Sequence, residues 1–133
     1  MKKFLFVIAA LSVLAACKKN GTPSPKASLF GKWELRRVHG GISPLDSTFA
    51  KGNGTAFQFN SDSTYVHFFR GTVNANGVYH IVKKGYQTGS QFYDEVTFDT
   101  NISGDPIVLS GTNLTIGTLV ADGFEYDYEK ISN

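Results

Sequence analysis

The sequence predicts an all-β protein, and three observations lead to this prediction. From Leu29 onward, apolar and polar residues alternate with a period near two, and no segment keeps the three-to-four spacing of an amphipathic helix. Clusters of Gly, Asn, Asp and Ser separate these runs, as expected of turns between strands. The composition is rich in strand-forming aromatic residues, with 11 Phe and 6 Tyr among 133 residues. A chain of this length has room for one domain with one core.

The first strand is predicted at residues 31–38. Trp33 and Leu35 share one face of this strand, so Trp33 is expected to point inward. Gly and Pro residues at 40–44 end the strand, and a long connection follows from Leu45 to Asn53. In a β-protein, a loop of this length is commonly a lid or a rim element.

Two strands joined by a polar turn are predicted next, at 55–60 and 64–70. The turn, Asn60 to Ser63, consists of short polar side chains that bond to nearby backbone. The second strand carries Tyr65, His67 and Phe69 on one face and Val66 and Phe68 on the other. Both faces of this strand are therefore largely aromatic or apolar, whereas a sheet with one solvated face would alternate more cleanly. At least part of the face turned away from the core is expected to be covered or to line a cavity.

The rest of the chain supplies five more predicted strands, separated by turn residues. They lie at 77–82, 92–99, 106–109, 114–119 and from Phe124 onward. A turn or bulge is predicted at Asn76-Gly77, and Lys83 to Gly85 are expected to end a strand. Eight strands joined by short turns favour an antiparallel up-and-down barrel of eight strands. A β-sandwich of the same strands is the alternative, because periodicity alone does not separate the two architectures.

Five short motifs follow one another between Leu29 and Ile131. They are Gly31-Lys32-Trp33, Phe59 to Tyr65, Gly77-Val78-Tyr79, Leu114-Thr115-Ile116 and Tyr128-Glu129-Lys130. In this order they resemble the motifs of lipocalins and of bacterial lipocalin-like lipoproteins. The resemblance implies a lipocalin-like barrel over residues 29–133, closed at one end by Gly31 and Trp33, with Lys130 over the indole as a cation–π partner. Family members often have Arg at the position of Lys130.

The N-terminal residues show a different pattern. Lys2 and Lys3 precede an uncharged apolar run from Phe4 to Ala16, and the only cysteine, Cys17, follows. A basic start, a short apolar run and small residues before a cleavage point are typical of a secretory signal. The order Leu14-Ala15-Ala16-Cys17 resembles the lipobox of bacterial lipoproteins. This resemblance implies that the signal peptide 1–16 is removed and that Cys17 is lipidated with acyl chains such as palmitate. An ordinary cleaved signal with an unmodified cysteine is the alternative.

Residues 17–28 are predicted to be a flexible tether, because the segment from Lys18 to Ser28 contains Pro23 and Pro25 and no apolar side chain larger than Ala27. The expected partner is therefore the lipid bilayer, reached through acylated Cys17, in the bacterial cell envelope. Lys18-Lys19 lack the acidic surface-export signal of one large group of Gram-negative bacteria. By that resemblance an outer-membrane position facing the periplasm is favoured over the cell surface.

Charge and motifs exclude several functions. Five of the 13 basic residues lie in the leader and tether, which leaves 8 basic against 11 acidic residues in the domain. Nucleic acid is therefore not an expected partner. Motifs for metalloproteases, serine hydrolases, phosphate loops and calcium loops are absent, and His39, His67 and His80 lie singly on separate strands. We expect no catalytic residue, no metal and no cofactor.

The aromatic content is 14%, high for so small a chain. Four aromatic residues and one histidine are predicted to line a cavity in which hydroxyl groups orient an otherwise apolar ligand. They are Tyr65, His67, Phe69, Tyr79 and Tyr93. The hypothesis is a monomeric, membrane-anchored, non-catalytic protein that binds a small apolar or amphipathic molecule. Two alternatives stay open. One is a filled barrel that docks an envelope partner through the Gly40 to Gly54 loop, and the other is an envelope enzyme.

Overall fold

The computed structural model describes residues 28–43, 45–120 and 122–133, and these residues form nine β-strands. The strands are β1 Gly31–Gly40, β2 Leu45–Thr48, β3 Ala56–Phe59, β4 Thr64–Phe69, β5 Thr72–Thr88, β6 Gln91–Phe98, β7 Asp105–Ser110, β8 Asn113–Gly117 and β9 Phe124–Ser132. Within these ranges no helix is long and apolar enough to cross a bilayer. The predicted signal peptide, Cys17 and all of the tether except Ser28 lie outside the described residues.

The strands form one antiparallel sheet that closes on itself. Each strand from β3 to β8 pairs with the next along the chain. Strand β1 pairs with β3 on one side, over 31–34, and with β9 on the other side, from Lys32 to Gly40. The pairing of β1 with β9 closes the sheet. The predicted antiparallel up-and-down barrel of eight strands is therefore confirmed, it matches a lipocalin-like barrel, and the β-sandwich is excluded.

Strand β2 is a difference from the sequence prediction, which had a loop from Leu45 to Asn53. It pairs with the second half of β1, while β3 pairs with the first half of the same edge. Strands β2 and β3 thus share one position in the barrel, so nine strands fill eight positions. The Arg37 guanidinium holds the β1–β2 hairpin through two hydrogen bonds of 2.8 Å to the Asp46 carboxylate.

Strand β5 is the second difference. The sequence predicted a turn at Asn76-Gly77 and a strand end at Lys83 to Gly85, but Thr72–Thr88 is one strand of 17 residues. The hairpin turn lies earlier, at Arg70 and Gly71, which have φ values of 51° and 84°. A β-bulge in the pairing of β5 with β6 absorbs the polar segment that was expected to end the strand.

Gly77 lies inside β5, where the Asp99 carboxylate occupies the space that a Cβ atom would need. This carboxylate accepts a hydrogen bond of 3.1 Å from the Val78 backbone N–H and one of 3.0 Å from the Tyr65 hydroxyl. The glycine therefore marks a close approach of another chain segment rather than a turn.

The core fills the part of the barrel around Trp33, which is fully buried. The indole N–H donates a 2.6 Å hydrogen bond to the Leu29 carbonyl, and the Lys130 Nζ lies 5.2 Å from the centroid of the Trp33 ring. Gly31 has a φ of 117°, and a Cβ there would collide with the Ser132 carbonyl oxygen and the Lys130 side chain. The other buried apolar residues are Leu35, Ala56, Phe59, Tyr65, Tyr79, Val96, Ile107, Leu114, Ile116 and Tyr128.

The up-and-down order places successive connections at alternate ends of the barrel. One end, called the Trp33 end, carries the first and last described residues. Ser132 pairs with Lys32 there, and the Ser28 carbonyl accepts a 3.2 Å hydrogen bond from the Lys130 Nζ. The opposite end, called the far end, carries the connections β1–β2, β4–β5, β6–β7 and β8–β9.

A strap formed by residues 49–55 crosses the outer face of β1 and covers Glu34, which is only 4% exposed. The two Glu34 carboxylate oxygens accept backbone hydrogen bonds of 3.0 Å from Gly52 and from Gly54. The Arg36 guanidinium donates a further hydrogen bond of 2.7 Å to the same carboxylate. An anion accepting several such bonds is well stabilised although it is buried.

Candidate functional site

The barrel interior holds a cavity of about 390 Å³, displaced from Trp33 toward the far end. Seven of the eight barrel positions contribute to its lining, which consists of Leu35, Thr55, Phe57, His67, Phe69, Phe98, Asp105, Ile116, Tyr126 and Tyr128. The cavity opens beside Phe69, which is 51% exposed. Its volume lies within the range of small-molecule sites.

Stacked rings form one wall of the cavity. The Phe57 ring lies 4.4 Å from the His67 ring and 5.4 Å from the Phe98 ring, centroid to centroid, and both pairs are nearly parallel. The Tyr128 ring meets Phe57 edge-on at 5.8 Å. Such rings offer a rigid and largely apolar surface with few rotatable bonds.

His67 is the one histidine on this wall. Burial lowers the pKa of His67, so its imidazole is neutral at pH 7. The Asn74 side-chain nitrogen lies 3.3 Å from its Nδ1 atom. The ring therefore contributes a polar edge to the cavity but no positive charge.

Asp105 is the only acidic residue of the lining. It is paired with Val96 across β6 and β7, and paired residues of neighbouring strands point to the same side of a sheet. Val96 is fully buried, whereas Asp105, the first residue of β7, lines the cavity and is exposed to solvent. Partial desolvation by the cavity wall, together with the nearby Glu95 carboxylate, raises the pKa of Asp105. In the described part of the chain, no cationic side chain forms an ion pair with it.

Two tyrosines of β9 complete the polar side of the cavity. Tyr126 is 38% exposed, whereas Tyr128 is 6% exposed. Burial, with smaller contributions from Tyr126 and the Asp105 carboxylate, raises the pKa of Tyr128. The Tyr128 hydroxyl therefore stays protonated and can donate a hydrogen bond within the cavity.

The residues predicted as ligand contacts lie in different parts of the barrel. His67 and Phe69 line the cavity. Tyr65 lies beside it, with its ring 4.7 Å from that of Phe98, and its hydroxyl is engaged by Asp99. The structure thus brings three of the five predicted side chains to the same region.

Tyr79 and Tyr93 lie away from the cavity lining. The Tyr79 hydroxyl donates a 3.0 Å hydrogen bond to the Asn60 carbonyl, in the turn at the Trp33 end. Tyr93 pairs with Tyr86 across β5 and β6, between the bulge and the β5–β6 hairpin.

Sequence reasoning did not select Asp105, Tyr126 or Tyr128 for the site. The alternation of the last strand places both tyrosines on one face, so this signal could have found them. Asp105 lies just before the predicted strand 106–109, and nothing in the local sequence marks it as part of a cavity lining.

The histidines are held separately. The His39 Nε2 lies 3.1 Å from an Asp127 carboxylate oxygen, His67 lines the cavity, and His80 is exposed on β5. Among the residues that the structure describes, no three His, Cys, Asp or Glu side chains are arranged to hold a metal ion.

The strand order, the closure and the partly empty interior define a lipocalin-like β-barrel. Comparisons of the chain with protein-family models, with curated proteins and with solved structures gave no match. The likeness to lipocalins therefore rests on the architecture and on the order of the short motifs.

Proposed function

We propose that this protein is a non-catalytic binding protein that holds a small apolar or amphipathic molecule inside its barrel. The cavity of about 390 Å³ is the observation that carries this proposal. Protein interiors normally leave few voids larger than a water molecule, so an unfilled interior on this scale favours a ligand over a filled barrel. The lining combines rigid rings with a few polar groups, as is common in sites that fix the orientation of an apolar ligand.

Native mass spectrometry of the protein purified from its own cells, combined with titration by the neutral dye Nile red, tests this proposal. Ile116→Phe adds a ring to the cavity wall, whereas Ile131→Phe makes the same change at a position that is 47% exposed. We expect dye binding, and any co-purified mass, to be lost in Ile116→Phe and kept in Ile131→Phe. Absence of both signals from the wild-type protein would contradict the proposal.

We also propose that residues 1–16 are a signal peptide and that acylated Cys17 anchors the barrel in the bacterial cell envelope, at the outer membrane facing the periplasm. The support is the order Lys2-Lys3, apolar run, Leu14 to Cys17 in the sequence. Mass spectrometry of the membrane fraction should find acyl chains on Cys17, and Cys17→Ala should release the protein or stall it with its leader. An unmodified Cys17 in a soluble mature form would contradict the anchor.

A docking role is a second candidate, because the β1–β2 hairpin exposes apolar side chains at the far end. Ile42 is 89% exposed and Leu45 is 43% exposed. A photo-crosslinker at Ile42 in intact cells should give one discrete heavier species if the hairpin docks a partner. Unchanged migration of the crosslinked sample would argue against this role.

A further inference from the structure

We propose that the cavity selects organic cations, namely amphipathic molecules with an ammonium or quaternary ammonium head and an apolar body, and that it discriminates against carboxylates of the same chain length. This inference rests on the proposed binding function and names the chemistry of the ligand.

The charge of the lining is the first support. Asp105 is its only acidic residue, and no Lys or Arg belongs to it. His67 does not supply a positive charge at neutral pH, because burial keeps its imidazole neutral. A ligand carboxylate would therefore meet an anion without any cation of the wall to offset the repulsion, whereas an ammonium head would meet an opposite charge.

The unpaired state of Asp105 is the second support. It lies on the same side of the sheet as Val96 and lines the cavity, yet none of the ion pairs within the described ranges includes it. Asp105 lines the cavity and is exposed to solvent, so its carboxylate is free to meet an ammonium head while the apolar body of the ligand lies among the rings. The Tyr128 hydroxyl lines the same cavity and adds a neutral hydrogen-bonding group.

The aromatic rings are the third support. The lining includes five aromatic carbocycles, Phe57, Phe69, Phe98, Tyr126 and Tyr128. Ring faces attract cations, more strongly when water is excluded, and groups of rings are a known way to recognise quaternary ammonium. A carboxylate gains nothing from the same faces.

Arg70 is a cation near the cavity, and its positive charge would oppose the proposed preference for cationic ligands. Its guanidinium lies 5.2 Å from the Phe69 ring, but it is exposed and does not line the cavity. Solvent and salt screen a charge in that position. Arg70→Gln therefore serves as a variant that should leave the head-group preference unchanged.

Three probes with the same chain test the inference: decyltrimethylammonium, decanol and decanoate, each below its micelle concentration, displacing Nile red from the full-length protein. We expect the ammonium to bind about tenfold or more tightly than decanoate, with decanol between them. Asp105→Asn should reduce this preference several-fold and leave only the part that the ring faces contribute. Asp122→Asn removes an exposed acid at the same end that does not line the cavity, so it should keep the preference.

The outcomes separate the two proposals. If Nile red binds but decanoate binds as tightly as the ammonium, the inference on the head group is overturned and the binding function stands. If the preference persists unchanged in Asp105→Asn, Asp105 does not supply it and the inference is also overturned. If neither the dye nor any probe binds, the binding function itself fails. The comparison of the three probes on the wild-type protein tests the head-group preference even if Asp105→Asn does not fold.

Discussion

Replacing Glu34 by glutamine removes one charge from under the strap while keeping the shape of the side chain. In the wild type, the buried carboxylate accepts hydrogen bonds from the Gly52 and Gly54 N–H groups and from Arg36. A glutamine has only one acceptor oxygen, so its NH₂ group would face at least one of these donors. The variant therefore leaves a buried donor unsatisfied and weakens the bonds that remain.

The size of the effect follows from these contacts. A hydrogen bond to a charged group contributes about 1.5 to 3 kcal/mol, and breaking a buried ion pair costs about 3 to 5 kcal/mol. Arg36 keeps a second partner, because its Nε donates to the Glu129 carboxylate at 2.8 Å. We therefore expect Glu34→Gln to lower the free energy of unfolding by about 2 to 4 kcal/mol, or the thermal midpoint by roughly 10 to 20 °C.

The pH dependence gives a second readout. Burial alone would raise the pKa of Glu34, but the hydrogen bonds from Gly52, Arg36 and Gly54 outweigh it and lower the pKa below its ordinary value of 4.5. The stabilisation by Glu34 is then complete above pH 4.5 and is lost as the pH falls through the lowered pKa. The stability difference between wild type and Glu34→Gln should therefore narrow in acid.

Urea unfolding at neutral pH measures the loss of unfolding free energy in Glu34→Gln. The same measurement in the acid range shows whether the difference from the wild type narrows. Asp46→Asn is the matched control, because it makes the same chemical change in an exposed ion pair with Arg37, where solvent screens the interaction. It should shift the urea midpoint little. Equal midpoints for wild type and Glu34→Gln at neutral pH, or a difference that does not narrow in acid, would refute the reasoning.

Two further substitutions test the fold. Trp33→Ala should lower the free energy of unfolding by about 3 to 5 kcal/mol, because it removes a fully buried indole and leaves a cavity. An unchanged urea midpoint would show that Trp33 does not stabilise the closed end of the barrel. Gly77→Ala should destabilise the protein by about 1 to 3 kcal/mol, since its Cβ would displace the Asp99 carboxylate. Adding Asp99→Ala should recover part of that loss, and failure to do so would contradict the close packing at this position.

The barrel could be predicted from the sequence because its strongest signals are local. Alternation and turn residues act over a few positions, and they indicate strands regardless of partner. Strand β2 shows the limit: its sequence Leu-Asp-Ser-Thr has no clear alternation, and it becomes a strand by pairing with the second half of β1. The segment 74–77 is rich in turn residues, yet pairing with β4 draws it into β5. Non-local pairing overrides local propensity at both places.

The site was only partly predictable for a related reason. Strand β4 shows which of its residues share a face, and this placed His67 and Phe69 correctly beside a possible cavity. The face of Asp105 depends on its register with Val96, which is reached only across the loop 99–104. Because a slip of one residue would place Asp105 on the outer side of the sheet, no local pattern could assign it to the cavity lining.

If the proposed anchor and binding function hold, the two ends of the barrel would separate membrane attachment from ligand entry. The chain enters the described structure at Ser28, at the Trp33 end, where the Leu29 carbonyl accepts the indole N–H and the Ser28 carbonyl accepts the Lys130 Nζ. The cavity opens toward the far end, beside Phe69. A lipid on Cys17, as proposed, would therefore hold the protein from the end opposite the cavity mouth. Anchoring and binding would then not compete for the same surface, so Cys17→Ala should leave Nile red affinity unchanged while it abolishes membrane attachment.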